Sequence, residues 1–101
     1  MDKNINELLS DSYRVLQIIY KNQVTIGGKT YCPLSQKDIA TELGTTRITV
    51  NGIIKKLKSN NLLQTESRKY ILTETALKFV ERIEDFKKTF LFECDKEDKN
   101  D

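Results

Sequence analysis

Histidine is absent from this 101-residue chain, and its two cysteines, Cys32 and Cys94, stand far apart. Without an imidazole there is no side chain poised to move protons near neutral pH, and two distant thiols do not make a zinc site. Neither a glycine-rich phosphate loop nor a nucleophile elbow is present, and Gly27-Gly28 is an isolated turn pair. These absences speak against an enzyme, and against a metal or organic cofactor. The opening MDKNINELL lacks the apolar centre of a secretion signal, and no apolar run approaches the length of a membrane span. The expectation is a cytoplasmic chain with reduced thiols and no membrane association.

What is there is one modest core and an uneven charge. With 38% hydrophobic residues, a chain of this length buries a single small domain, which dimerisation would extend. The formal net charge is only +2, yet residues 29–70 carry eight basic side chains against three acidic ones. Residues 93–101 hold five acids and two lysines. A basic middle segment is what phosphate neutralisation requires, although solvated helix faces are often charged as well.

The middle segment also carries the most specific pattern, SQKDIATELGTTRITVNGIIKKLKSN at residues 35–60. Ser35 caps a periodic run in which Ile39, Ala40 and Leu43 share one helix face. Gly44 stops that helix, because the residue just past a helix end often turns left-handed and glycine does so without steric cost. Thr45 or Thr46 restarts the chain, and Val50, Ile53, Ile54 and Leu57 then recur at helical spacing. Arg47, Thr49, Asn51, Lys55 and Lys56 fall mostly on the other side. This is the pattern of a helix-turn-helix, in which one side of the second helix packs and the other is free to read DNA. Gly52 stands out, since glycine inside a helix costs about 1 kcal/mol relative to alanine. It fits a close approach by DNA or a partner helix, or a tolerated surface position.

Around the motif, Asp11 or Ser12 caps a first helix reaching about Asn22, with Val15, Leu16, Ile18 and Ile19 as its buried stripe. QVTIGGKTYCPL predicts one short strand, limited to a sheet edge by Pro33. Residues 62–66 and 69–73 predict two strands joined by a tight turn at Ser67 and Arg68. Thr73 caps a final helix from about Glu74 to Phe92. On it Phe79, Ile83, Phe86 and Phe90 form a seam that predicts a homodimer, with packing on the first helix as the competing use. The domain is thus read as residues 1–92, followed by a polar, acidic, disordered tail at 93–101.

The order helix, strand, helix, helix, strand, strand, long helix resembles the winged helix-turn-helix family, a mainly α fold with a small β-hairpin wing, over residues 12–75. The family resemblance implies that the start of the second motif helix enters the major groove of double-stranded DNA while the wing meets phosphate or the minor groove. By position it implies DNA contacts from Thr46, Arg47, Thr49, Asn51, Lys55 and Lys56, with Arg47 suited to guanine and Asn51 to adenine. Arg68 and Lys69 would touch phosphate. In layout the chain also resembles the TubR proteins, centromere-binding adaptors of plasmid and prophage partition systems, through its length, the Tyr-x-Val-Leu pattern at Tyr13–Leu16, the short wing and the long last helix. That resemblance implies a dimer on repeated DNA sites, linked to a tubulin-like GTPase. A winged-helix transcriptional repressor, a plasmid replication protein and a protein–protein adaptor are the alternatives.

Overall fold

A computed structural model describes residues 10–99, so the first nine residues assigned to the domain and the last two of the tail lie outside the described residues. Four helices and two short antiparallel hairpins follow one another: α1 (Asp11–Lys21), β1 (Val24–Ile26), β2 (Lys29–Tyr31), α2 (Gln36–Leu43), α3 (Arg47–Ser59), β3 (Leu63–Glu66), β4 (Lys69–Leu72) and α4 (Glu74–Lys99). This is a mainly helical winged helix-turn-helix.

Each helix starts where a short side chain can satisfy an orphan N–H. Ser10, in extended backbone, accepts from the Tyr13 N–H at 3.2 Å and caps α1, one residue ahead of the expected Asp11. Asp11 instead occupies the first turn, where a carboxylate meets the positive end of the helix, and it lies 3.6 Å from Arg14. Ser35 and Asp38 exchange hydrogen bonds at 3.1 and 3.0 Å in a capping box that opens α2. The Ser35 backbone N–H, followed by the Ser35 side chain, holds the Asp38 carboxyl below its usual range. Gly44 closes α2 with φ 82°, and both its own N–H and that of Thr45 bond the Ala40 carbonyl.

The chain before α2 holds two strands rather than the expected one. Gly27 and Gly28 both adopt positive φ, 60° and 81°, which lets Ile26 pair directly with Lys29 across a two-residue turn. The wing repeats this geometry, with Glu66 opposite Lys69 and the turn made by Ser67 at φ 48° and Arg68 at φ 67°. A backbone bridge joins the hairpins: the Cys32 N–H donates to the Tyr70 carbonyl at 2.8 Å and the Tyr70 N–H returns the bond at 3.1 Å. Cys32 is fully buried there, and burial raises its thiol pKa, leaving an unreactive core residue.

The core is continuous from Val15, Leu16 and Ile19 of α1 through Ile39 and Ala40 of α2 to Val50, Ile54 and Leu57 of α3. Leu63 and Leu72 close it from the wing, and Ala76 and Val80 from α4. A polar cluster fastens α1 to α4. Glu84 Oε2 accepts from the Tyr13 hydroxyl at 2.9 Å, from Gln17 Nε2 at 3.1 Å and from Lys87 Nζ at 3.2 Å. Burial disfavours the Glu84 carboxylate, but the Tyr13 and Lys87 hydrogen bonds and the nearby lysine charges outweigh it and hold its pKa below the usual range. Burial, followed by that carboxylate, pushes the Tyr13 phenol far above its ordinary value.

Helix α4 runs on to Lys99, past the expected end near Phe92. Residues 93–99 include neither proline nor glycine, so nothing local stops the helix.

Candidate nucleic-acid interface

Helix α3 is presented by its caps and by its packed side. Thr46 is the residue that restarts the chain: its Oγ1 accepts from the Thr49 N–H at 3.2 Å and its hydroxyl donates to Thr49 Oγ1 at 3.1 Å. That commits Thr46 to the cap and leaves the exposed Thr49 hydroxyl as the donor turned outward. Val50, Ile54 and Leu57 are buried, which fixes the opposite side of α3 in solvent.

Lys55 and Lys56 are exposed on that side, Arg47 is exposed at the start of the helix nearer the packed stripe, and Asn51 is half-buried. Neither Arg47 nor any α3 lysine forms an ion pair among the described residues, so their charges are uncompensated. Asn51 is not free to rotate. Gln36 Nε2, at the start of α2, donates to Asn51 Oδ1 at 3.3 Å and sets the direction of its amide. One lone pair of Oδ1 and both Nδ2 hydrogens remain, enough for the two-point contact adenine requires. Gln36 is a contributor that sequence reasoning missed, since its bond to Asn51 spans fifteen residues and two helices.

Gln36, Arg47, Ile48 and Asn51 line one shallow depression at the start of α3. Ile48 was also missed. It is 85% exposed, the most exposed large hydrophobic residue described. Its signal was present in the sequence: at 100° per residue Ile48 falls about 160° around the axis from Val50, outside the packing stripe.

The wing separates its two predicted contacts. Arg68, at the tip of the turn, is exposed and has no ion pair among the described residues. Lys69 is held elsewhere, its ammonium 4.4 Å from the centre of the Tyr31 ring, in a cation–π contact that fastens the wing to the first hairpin. Lys29 and Glu66 add an ion pair at 3.6 Å across the same seam.

The phenylalanine seam divides too. Phe79 is 46% exposed and meets the Tyr13 ring edge-on at 5.8 Å, while Ile83 packs partly on the core, so half of the seam is used within the chain. Phe86 is 59% exposed, and its ring lies 6.2 Å from that of Phe90. An added Cβ at Gly52 would meet nothing within 4 Å, so no packing inside the chain demands a glycine there. Among the described residues no group of His, Cys, Asp and Glu could hold a metal ion, and no helix is long and apolar enough to cross a membrane.

Residues 13–79 match the family model described as the Crp-like helix-turn-helix domain. Among solved structures the chain is similar to a transcriptional regulator of the CRP/FNR family from Thermus thermophilus, with TM-score 0.54 and 17% identity over 70% of this chain and 39% of that one. It is also similar to CprK complexed with OCPA, with TM-score 0.53 and 24% identity over 79% of this chain and 40% of that one. At these identities the likeness is one of fold, and the chain spans about two fifths of the length of either structure. No curated protein sequence matches the chain.

Proposed function

The chain belongs to the Crp-like helix-turn-helix domain family, a DNA-binding family, and from that premise we propose that it is a sequence-specific regulator of transcription acting as a homodimer on double-stranded DNA. The observation that carries the reading is the exposed part of α3, where Arg47, Lys55 and Lys56 have no ion-pair partner among the described residues and stand with a preset Asn51 on a helix whose other side is locked into the core. Arg47 and Asn51 are assigned to base edges, Thr49, Lys55, Lys56 and Arg68 to phosphates. Thr46 serves by capping the helix that carries them, and Lys69 by holding the wing. Repression is the simplest output, since a dimer covering a promoter blocks it without further parts. The exposed Phe86, paired with Phe90, is assigned to the dimer contact, with Phe79 and Ile83 bridging it to the core. No enzymatic role is proposed, and the cytoplasm is the compartment such a regulator works in.

A footprinting titration on DNA flanking its own gene tests this. One short protected patch, spanning two half-sites, is expected. Protection spreading cooperatively over a run of repeats would replace the repressor with a partition adaptor of the TubR kind, for which a tubulin-like GTPase would be the partner. No protection at low salt would remove the DNA reading.

A further inference from the structure

Helix α3 carries at the centre of its outer side not a charge but an aliphatic side chain followed by bare backbone. Counting 100° per residue from the buried Val50, Ile48 and Gly52 both lie within about 20° of the outermost direction, whereas Arg47 lies well to one side. Ile48 is 85% exposed, and Gly52, one turn later on the same line, has open space where a Cβ would stand. A lone exposed isoleucine is ordinary on an arbitrary surface. Here it sits among cations that have no ion-pair partner among the described residues, on the helix that would enter a groove of DNA, with Arg47 and the Gln36-oriented Asn51 sharing its depression.

We propose that Ile48 reads the 5-methyl group of a thymine in the major groove, and that Gly52 removes side-chain bulk so that the helix seats deeply enough for this contact. The proposal rests on the DNA-binding reading above and deepens it. Thymine is the one base that presents an apolar group in the major groove, and a branched aliphatic side chain flanked by cations matches it in chemistry and position. Gly52 then has a purpose that packing within the chain does not supply. A methyl at this point would hold the helix axis away from the base edges, although glycine here lowers the stability of the free helix.

The probe is a duplex selected by the wild-type protein from a randomised library, with each thymine replaced singly by deoxyuridine. This change deletes the methyl and keeps every hydrogen-bonding group. Wild type is expected to lose roughly 3- to 10-fold in affinity at one thymine per half-site, the scale of one buried methyl and its packing. Ile48→Ala is expected to lose a similar factor on the thymine duplex and nothing further on the deoxyuridine duplex, while Ile48→Val keeps the preference. Gly52→Ala is expected to melt higher yet bind more weakly. Additive losses from Ile48→Ala and deoxyuridine, a selected site with no fixed thymine, or unchanged affinity of Ile48→Ala each overturn the proposal while leaving DNA binding intact. So does dissociation of the dimer by Ile48→Ala, which would make the residue a protein contact. Failure of wild type to enrich any duplex overturns both readings.

Discussion

The outer side of α3 and the α1–α4 seam use charge in opposite ways. At the seam Glu84 accepts from Tyr13, Gln17 and Lys87 together, and the net effect is a carboxylate stabilised in its ionised form. On α3 no cation has an ion-pair partner among the described residues, although the helix is anchored by three buried aliphatic side chains. A charge engaged by neighbours contributes to folding and has little left for a ligand, whereas an unpaired charge on a rigid helix contributes little to folding and is available. The contrast supports assigning the proposed interface to α3. It also sets apart the exposed Phe86 of α4, which belongs to neither pattern and is the residue assigned above to the proposed dimer contact.

The largest effect expected from breaking this division is on assembly. Phe86→Glu places a carboxylate in the apolar contact and should give monomers in sedimentation velocity, with an unaltered helical spectrum. Footprints should then lose their two-half-site form. A folded, unchanged dimer would move the interface elsewhere. Next in size is Arg47→Ala, expected to cost about 1–3 kcal/mol on the selected site and little on random DNA, with stability changed by less than about 0.5 kcal/mol. Equal losses on both DNAs would make Arg47 a phosphate contact, and a large loss of stability would mean that the division between the two regions is wrong.

The seam should respond to pH instead. Because the Glu84 carboxyl is held below its usual range in the folded chain, its contribution is fully present above the unfolded carboxylate value of about 4.3 and is lost as pH falls through the lower folded value. Glu84→Gln should lower stability near neutrality by about 1 kcal/mol, the net worth of one intramolecular hydrogen bond, and flatten the acid side of the urea-midpoint profile. The DNA affinity of the folded variant should not change. A variant as acid-sensitive as wild type would assign that sensitivity to other carboxylates.

The sequence made the reading motif legible for local reasons. Gly44 at a left-handed helix end, the Ser35 cap and the stripe at Val50, Ile54 and Leu57 are all written within a few residues of one another. What it hid depends on chain segments that meet only in three dimensions. Asn51 looked free until Gln36 was placed beside it, and the Tyr31 ring under the Lys69 ammonium could not be read from two residues so far apart along the chain. Phe79 counted as dimer surface until the Tyr13 ring took part of it. The missing strand had a different cause. Both strands of the first hairpin are only three residues long, too short for alternation to register, and the glycine pair was read as a turn without its second arm. Ile48 was assigned to neither side of the helix, although its angular position placed it outside the stripe.

The smallest effect, and the one that sharpens the comparison most, concerns the two hairpin tips, which share a geometry but differ in side chains. Gly27 and Gly28 adopt positive φ freely, whereas Ser67 and Arg68 do so at 48° and 67° against the preference of side-chain-bearing residues. Nothing in the turn itself requires an arginine there, and the phosphate contact proposed for Arg68 would give the guanidinium a use beyond the fold. Arg68→Gly should relieve about 1–2 kcal/mol of left-handed strain while freeing the unfolded chain by about 0.4–1 kcal/mol, for a net gain near 0.5 kcal/mol. It should also weaken binding evenly across DNA sequences and lower the steepness of the salt dependence by about one unit. The reciprocal Gly28→Arg should lose stability and leave DNA binding untouched. Stability and affinity that move together in Arg68→Gly would show the wing acting only as part of the fold, and a loss confined to one DNA sequence would turn Arg68 from a phosphate contact into a base-reading one.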